Sequence, residues 1–444
     1  MDIKIDPLPD EYKKYIGPLV VTVLSLLPVA LWVVAKPIED RFFSIEATAL
    51  SFGQIAGLVG MALFSVAMIL SARLKIITRY FDGLNKEYST HHTAGIISFI
   101  LLMAHPLILS FGYLRVSVSA MAQFLLPRND LAINFGIIAL IGLVVLILIT
   151  LFAKFKYEVL FTLHKFLGLV FVFASVHMLL APGDLRSNPP LAAYMSLLMA
   201  AGIVAFFYRT LLGHFAVSRF SYRVVGAREV GDDVLEIEME PVGEKIPYRA
   251  GQFIFINYVS DTVNTEAHPF SLSSGAEEAN VKVAIKNLGD YTKGLFQLEK
   301  GSTAEIEGPF GRFFYEYESI RDKVWIAGGI GVTPFLSMAR TMRSKMENEY
   351  RVFFFYSVKK KSEFVFLDEL IAISKVCKWF IFIPYCTDQS GFLTAQIIDK
   401  MTRGVRKKDI YICGPLSMMK ALGSQFIKLR VPKRHIHMEQ FKLL

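Results

Sequence analysis

Five of the nine histidines lie in runs apolar enough to cross a membrane. Residues 90–111 (THHTAGIISFILLMAHPLILSF) carry His91, His92 and His105, and residues 161–180 (FTLHKFLGLVFVFASVHMLL) carry His164 and His177. An ionisable side chain in lipid is costly and needs a partner, so each is a functional candidate. One partner that uses imidazole from two sides is haem iron. His91 and His105 stand 14 residues apart. On a regular helix they share a face, about 40° apart in azimuth and about 21 Å apart along the axis. His164 and His177 stand 13 apart, with a similar rise. The two segments run in the same direction, so His91 can face His164 near one membrane surface and His105 can face His177 near the other. That arrangement suits two b-type haems stacked across the bilayer. No CxxCH motif is present, which excludes covalent c-type attachment.

Two points stay open at this stage. A 13-residue step leaves about 140° of phase error on an ideal helix, so the fifth helix must overwind, bend, or send its histidines round different sides. His92 also competes with His91. His91 phases better and has Gly95 one turn on, as His164 has Gly168. A glycine there lets a flat macrocycle approach the backbone. A proton relay or transport pathway is the rival use of such histidines, and it predicts no haem absorbance.

Six segments are long enough to position these residues: roughly 16–35, 49–71, 90–113, 131–153, 158–181 and 190–212. The overall composition hides this split. Mean hydropathy is +0.44, yet the chain is strongly apolar only up to about Tyr208. The polar N-terminus (MDIKIDPLPDEYKK) lacks a signal-peptide pattern, so the first apolar run is expected to stay as a membrane helix. Basic residues fall on one side: Lys4, Lys13 and Lys14; Arg73, Lys75, Arg79 and Lys86; Lys154 and Lys156; Arg209, Arg219 and Arg223. The positive-inside rule then puts the N-terminus and everything after the sixth helix in the cytoplasm of a plasma or inner membrane. The same rule accounts for the net charge of +9. No basic stripe interleaved with aromatics points to nucleic acid. The three cysteines, Cys377, Cys386 and Cys413, form no CxxC pair and suit a reducing compartment.

After Phe220 the pattern changes to short alternating strands with Gly, Pro and Asp turns, the signature of a small antiparallel barrel. It contains HPFSLSS (268–274), KNLGDYTKGL (286–295) and GPFG (308–311), whose hydroxyls and amides can meet ribityl and pyrophosphate oxygens. Next comes VWIAGGIGVTPFLSMAR (324–340): an apolar strand, a glycine turn, and a helix that opens with Thr333 and Pro334. Free N–H groups at a helix N-terminus favour anions. Alternating strands and helices follow to the C-terminus, so the fold is a parallel sheet covered on both faces, with ligand sites at the carboxyl ends of its strands. Gly328–Gly331, Tyr356–Lys361 and Cys413–Pro415 sit at such ends. Ser357, Lys359, Lys360 and Lys361 follow a strand where an adenosine ribose belongs. A lysine there can pair a 2′-phosphate, which favours NADPH over NADH. The expected domains are a six-helix transmembrane bundle at 1–215, an antiparallel β-barrel at 216–320 and an α/β parallel-sheet domain at 321–444.

In this order the motifs resemble the ferredoxin–NADP reductase superfamily. With six helices and paired histidines before them, the chain resembles the ferric reductase and NADPH oxidase family of membrane flavocytochromes b. The resemblance implies that cytosolic NAD(P)H reduces FAD, which feeds the inner haem, the outer haem and an acceptor outside. Carried over residue by residue, it implies FAD at His268, Pro269, Phe270, Ser271, Ser273 and Ser274, with Thr292 assisting at its phosphates. It implies the nucleotide at Gly328, Gly329, Gly331, Thr333 and Pro334, with Cys413, Gly414 and Pro415 near the nicotinamide. It implies Phe441 stacked on the flavin ring, although three residues follow it here.

The acceptor is either O2, giving superoxide, or a metal such as Fe3+. Oxygen needs a small dry pocket with a positive charge, and a metal needs an open acidic surface. The outer loops hold Lys36, Arg41, Arg115, Arg128 and Arg186 against Glu39, Asp40, Glu46, Asp130 and Asp184. Arg115, just past His105, is the candidate charge at the outer site. No calcium-binding loop or SH3-like module is seen, so no obligatory protein partner is expected. Electron delivery to a dedicated protein partner is a further alternative, disfavoured by short outer loops.

Overall fold

The computed structural model describes residues 10–81, 83–153, 155, 157–213, 217–260, 263, 266–313, 321–343 and 350–439. The chain divides into two compact units, Met1–Val217 and Ser218–Leu444.

The first unit holds six helices long and apolar enough to cross a membrane. They are α1 (Asp10–Val34), α2 (Ile45–Leu70), α3 (Leu84–Phe111), α4 (Leu131–Phe152), the pair α5 (Tyr157–Lys165) and α6 (Leu167–Leu180), and α7 (Pro189–Phe206). Helix α2 is central: 78% of its most apolar window is buried, against 11% for α4. Small residues let it be so. Gly53, Gly57 and Gly60 form a stripe on α2 that receives Leu109, His105 and Leu102 of α3. The Ser98 hydroxyl donates to the Gly60 carbonyl at 2.7 Å and locks the same pair. Helix α3 begins six residues before the apolar run, because its first turn buries the polar side chain of Glu87. Polar caps set other starts: Ser44 accepts from the Ala47 amide, Asp130 from Ile133 and Asn188 from Leu191.

The fifth span is broken. Phe166 is a turn between α5 and α6, where Phe166 donates to the Leu163 carbonyl and Leu169 to the Phe166 carbonyl, both at 3.0 Å. These i to i−3 bonds wind the chain more tightly than an α-helix. They supply part of the rotation that the 13-residue step between His164 and His177 lacks.

The second unit contains two sheets. The first is antiparallel, in the order β4-β3-β6-β1-β2-β5, where β1 is Phe220–Gly231, β2 Val234–Pro241, β3 Phe253–Val259, β4 Ala267–Ser271, β5 Val281–Lys286 and β6 Thr303–Phe310. Its end strands meet at one bridge, Leu272 to Val283. The second sheet is parallel, in the order β11-β10-β7-β8-β9, with β7 Lys323–Gly328, β8 Val352–Val358, β9 Phe380–Cys386, β10 Asp409–Cys413 and β11 Ile436–Glu439. Alternate residues of β7 feed opposite cores. Trp325 and Ala327 pack under α8 (Thr333–Met342) and α9 (Leu367–Val376). Val324 and Ile326 pack under α10 (Ala395–Met401) and α11 (Leu416–Lys428). Both faces are covered, which is why these strands read as continuous apolar runs.

Candidate functional site

The histidines meet in two pairs. Ring centroids of His91 and His164 lie 6.3 Å apart, and those of His105 and His177 lie 6.4 Å apart. Three of the four rings are fixed by a backbone carbonyl of a neighbouring helix. His91 Nδ1 donates to Ala67 O at 2.8 Å, His105 Nδ1 to Gly53 O at 2.7 Å and His177 Nδ1 to Ala132 O at 2.7 Å. A carbonyl only accepts, so Nδ1 carries the proton and Nε2 keeps its lone pair. This is the tautomer of a metal-ligating imidazole with its outer nitrogen anchored. The separations also fit: two metal–nitrogen bonds of about 2 Å, plus about 1.2 Å from each nitrogen to its ring centre, sum to roughly 6.4 Å. Among the described residues no group of three or more His, Cys, Asp or Glu forms a metal cluster. The histidines come in twos, and the residues present would fit a haem held between them.

Small residues make the room. A Cβ on Gly57 would stand 2.8 Å from His105 Nδ1, and one on Gly136 would stand 2.7 Å from His177 Nδ1. Sequence reasoning missed both glycines; they belong to α2 and α4, which carry no histidine. It named Gly168 instead, and there the structure differs: the ring of Phe206 fills that space, within 2.1 Å of where a Cβ would stand. Gly95 faces open space, with no atom within 4 Å of where a Cβ would stand. His92 is exposed and takes no part in the pairs.

Arg115 is exposed and ion-paired with Glu46 at 2.9 Å. The buried cation at this end of the bundle is Arg41, which lies 3.5 Å over the Trp32 ring and donates to Asp184 at 2.8 Å. Lys36 donates to the other Asp184 oxygen at 2.6 Å. Trp32 in turn donates to Gln54, the neighbour of the carbonyl that anchors His105. Burial opposes the charge of Asp184, but the hydrogen bonds and charges of Lys36 and Arg41 outweigh it and hold the carboxyl below its usual range. A first-loop arginine gives no sequence signal that it will be buried.

In the antiparallel sheet, His268 stacks on Tyr291 with centroids 3.8 Å apart, and its Nε2 donates to Glu266 at 2.8 Å. Pro269 and Phe270 are half-buried on the same strand. The buried Ser271 Oγ and Asn257 Oδ1, on paired strands β4 and β3, have no hydrogen-bond partner among the described residues. A buried polar atom without a partner is costly, so these two fit the polar groups of a nucleotide. Thr292 holds its own turn, accepting from the Leu288 and Gly289 amides. Ser273 and Ser274 require correction as ligand-facing groups. Both are fully buried, and the Ser274 hydroxyl already pairs with Tyr248 and the Lys282 amide.

In the parallel sheet, Gly328 ends β7 and Gly414 follows β10, the neighbouring strand. No side chain fits at either: a Cβ on Gly328 would stand 2.7 Å from Met418, and one on Gly414 would stand 2.9 Å from Gly328. Gly329 has φ +54°, a left-handed turn open on its outer side. Gly331 packs on the Cys413 carbonyl, 2.4 Å from where its Cβ would be. Cys413 itself is completely buried, and burial pushes its thiol up, so the residue shapes the turn and offers no thiolate. Thr333 and Pro334 are also buried; the Thr333 hydroxyl donates to the Ile330 carbonyl at 2.6 Å. Ser357 aligns with Gly328 across β7 and β8, Lys359 lies exposed beyond it, and Pro415 is exposed after Gly414. Glu439, buried opposite Cys413, was missed by sequence reasoning. Phe441 lies outside the described residues.

A parallel sheet with a glycine-lined carboxyl edge and an antiparallel sheet follow six helices long and apolar enough to cross a membrane. Comparison with known proteins shows what each part resembles. Residues 56–175 match the ferric reductase like transmembrane component, residues 219–324 an FAD-binding domain and residues 325–423 the oxidoreductase NAD-binding domain. Over these three consecutive stretches the chain is similar to ferric reductases in its apolar helices and to FAD- and NAD-binding oxidoreductase domains after them. It is 25% identical over 371 residues to ferric reduction oxidase 7, chloroplastic, of Arabidopsis thaliana, covering 78% of this chain and 47% of that protein. It is 28% identical over 221 residues to a superoxide-generating NADPH oxidase heavy chain of Dictyostelium discoideum, covering 44% of this chain and 42% of that protein. A solved flavohemoglobin from Malassezia yamatoensis, with bound FAD and heme, shares 20% identity at a TM-score of 0.50, covering 89% of this chain and 98% of that one, a likeness of fold alone. The chain spans about half the length of most curated relatives it matches.

Proposed function

We propose that this protein moves electrons from cytosolic NAD(P)H through FAD and two b haems to an acceptor beyond the membrane, with O2 as acceptor and superoxide as product. The observation that carries the reading is the pair of histidine pairs, at 6.3 and 6.4 Å, each with at least one ring anchored through Nδ1. When bound, FAD takes two electrons from a nicotinamide and releases them singly, and haem iron carries one at a time. The chain's part is to hold and to insulate. His91, His164, His105 and His177 would hold the haem irons, the three anchored rings through Nε2. The Ala67, Gly53 and Ala132 carbonyls strengthen that hold by accepting from Nδ1. Helices α2 to α7 exclude water between the pairs. His268, Pro269, Phe270, Ser271, Asn257 and the Thr292 turn bind FAD; Gly328, Gly329, Gly331, Gly414 and Pro415 bind the nucleotide by close backbone approach. Lys359 beside Ser357 favours NADPH over NADH.

Oxygen is favoured by the acids at the outer end. Asp184 is held by Lys36 and Arg41, Glu46 by Arg115, and Asp130 caps its own helix. Three of the five outer acids are thus engaged, and Glu39 and Asp40 are exposed. Reduction of ferric or cupric ions is the second reading, supported by the length of the match to the ferric reduction oxidase.

One spectrum tests the chain of carriers. Detergent-purified protein with FAD should show a b-type Soret band equal to two haems, reduced by NADPH under argon. Admitting air should reoxidise it with superoxide formed. Reoxidation only by a ferric chelate would favour the second reading, and a protein without a Soret band would sink both.

A further inference from the structure

The helix that opens at the nucleotide turn also grips the segment that follows the flavin motif. Arg340, 9% exposed near the end of α8, makes four contacts with three elements. Its Nη1 donates to Glu236 on β2 and to the Ser273 carbonyl, both at 3.0 Å. Its Nε and Nη2 donate to the two Glu369 oxygens on α9 at 2.7 and 2.8 Å. One turn earlier, Ser337 donates to the Ser274 carbonyl at 2.6 Å, and the Ala276 amide donates to Thr341 Oγ1 at 2.9 Å. Gly275 lies against the same turn, where a Cβ would stand 3.2 Å from the Arg340 backbone. Residues 273–276 are thus read atom by atom from α8, two positions after the unpartnered Ser271.

We infer that Arg340 is a positioning residue for hydride transfer: it holds the flavin-binding strand and the nucleotide-binding turn at one fixed separation. The inference rests on the FAD and NAD(P)H reading above. In the step, a hydride leaves the nicotinamide, which is oxidised, and joins the flavin, which is reduced; Arg340 exchanges neither proton nor electron. Its planar fork spans two carboxylates and a carbonyl at once, which the point charge of lysine does not. Rate depends steeply on such placement, since a misplacement of about 1 Å costs on the order of 100-fold.

The test uses full-length protein in detergent, as Arg340→Lys. Anaerobic stopped-flow should show flavin reduction by NADPH slowed at least tenfold. FAD affinity, read by flavin fluorescence, should change less than threefold. The long-wavelength charge-transfer band between nicotinamide and flavin should weaken, a readout that loss of stability alone does not move. Ser337→Ala, which removes one hydroxyl from the same joint, should slow reduction about threefold and serves if Arg340→Lys does not fold. Wild-type rates and band in a folded, FAD-replete variant would overturn the inference, as would FAD affinity falling in step with the rate. A wild-type protein that binds no FAD would overturn the functional reading itself, and this inference with it.

Discussion

The two units hold their reactive groups by opposite means. In the membrane unit, His91, His105 and His177 rest on the backbone carbonyls of Ala67, Gly53 and Ala132, with no charged partner. In the second unit, the loop after the flavin motif is set by charge: Arg340 against Glu236 and Glu369. The difference follows from solvent. An ion pair in lipid must repay a heavy desolvation cost, whereas a helix carbonyl has a spare lone pair already in place. The carbonyl solution demands close helix approach, and glycine supplies it. The charged solution tolerates bulk but needs several partners to satisfy one guanidinium.

This contrast can be broken most completely at the glycines. Gly57→Leu and Gly136→Leu each drive a side chain into a histidine ring at under 3 Å. Each should remove the His105–His177 pair as a ligand set, so that the purified protein holds one haem in place of two, measured by pyridine hemochrome. Flavin reduction by NADPH should persist within about twofold, because both glycines belong to the first unit. Two haems retained in both variants would show that the ring positions are not what fixes the metal site.

How much of this was visible in the chain itself follows the same division. Histidines in an apolar run are rare residue types in a plain background, so His91, His105, His164 and His177 stood out, and spacing paired them. The six helices stood out for the same reason. What positions the rings did not. Gly57 and Gly136 lie on other helices, and only the packing of α2 on α3 and α4 on α6 makes them matter. The turn at Phe166 was foreseen only as a phase error, since nothing in FTLHKFLGL marks a break. In the second unit the glycine turn and the strand ends were legible, because backbone approach needs glycine. The roles of Ser273, Ser274 and Cys413 were not. A serine facing a ligand and a serine bonding a neighbouring strand look alike in a motif, and burial decides between them.

Arg41 departs from this rule in the membrane unit, a buried charge held by side chains, and it predicts a smaller, acid-sensitive effect. The carboxyl of Asp184 is held below its ordinary value despite burial, by Lys36 and Arg41. A group with a depressed folded pKa contributes stability above its unfolded value and loses it as pH falls through the folded one. The membrane unit should therefore melt progressively lower as pH drops below about 4. Asp184→Asn leaves Arg41, 3% exposed at its side chain, without a counter-charge. Stranding one partner of a buried pair costs about 3 kcal/mol. Thermal melting of the purified protein should fall by several degrees at pH 7 and lose part of its acid dependence below about pH 4. An unchanged melting point would mean that the Arg41 cluster carries no net stability.

The smallest effect separates a buried charge from an exposed one at the same end of the bundle. Arg115 and Glu46 are 65% and 38% exposed at their side chains. Water screens such a pair, and its worth is about 0–1 kcal/mol. If O2 is reduced near His105 and His177 with help from a fixed positive charge, that charge must be poorly screened, and Arg41 meets the condition where Arg115 does not. Arg115→Gln should therefore leave the rate of superoxide formation, followed by cytochrome c reduction, within about twofold, and the melting point within a degree or two. A loss of tenfold or more would return Arg115 to the reacting centre and would require that the Glu46 pair opens during turnover.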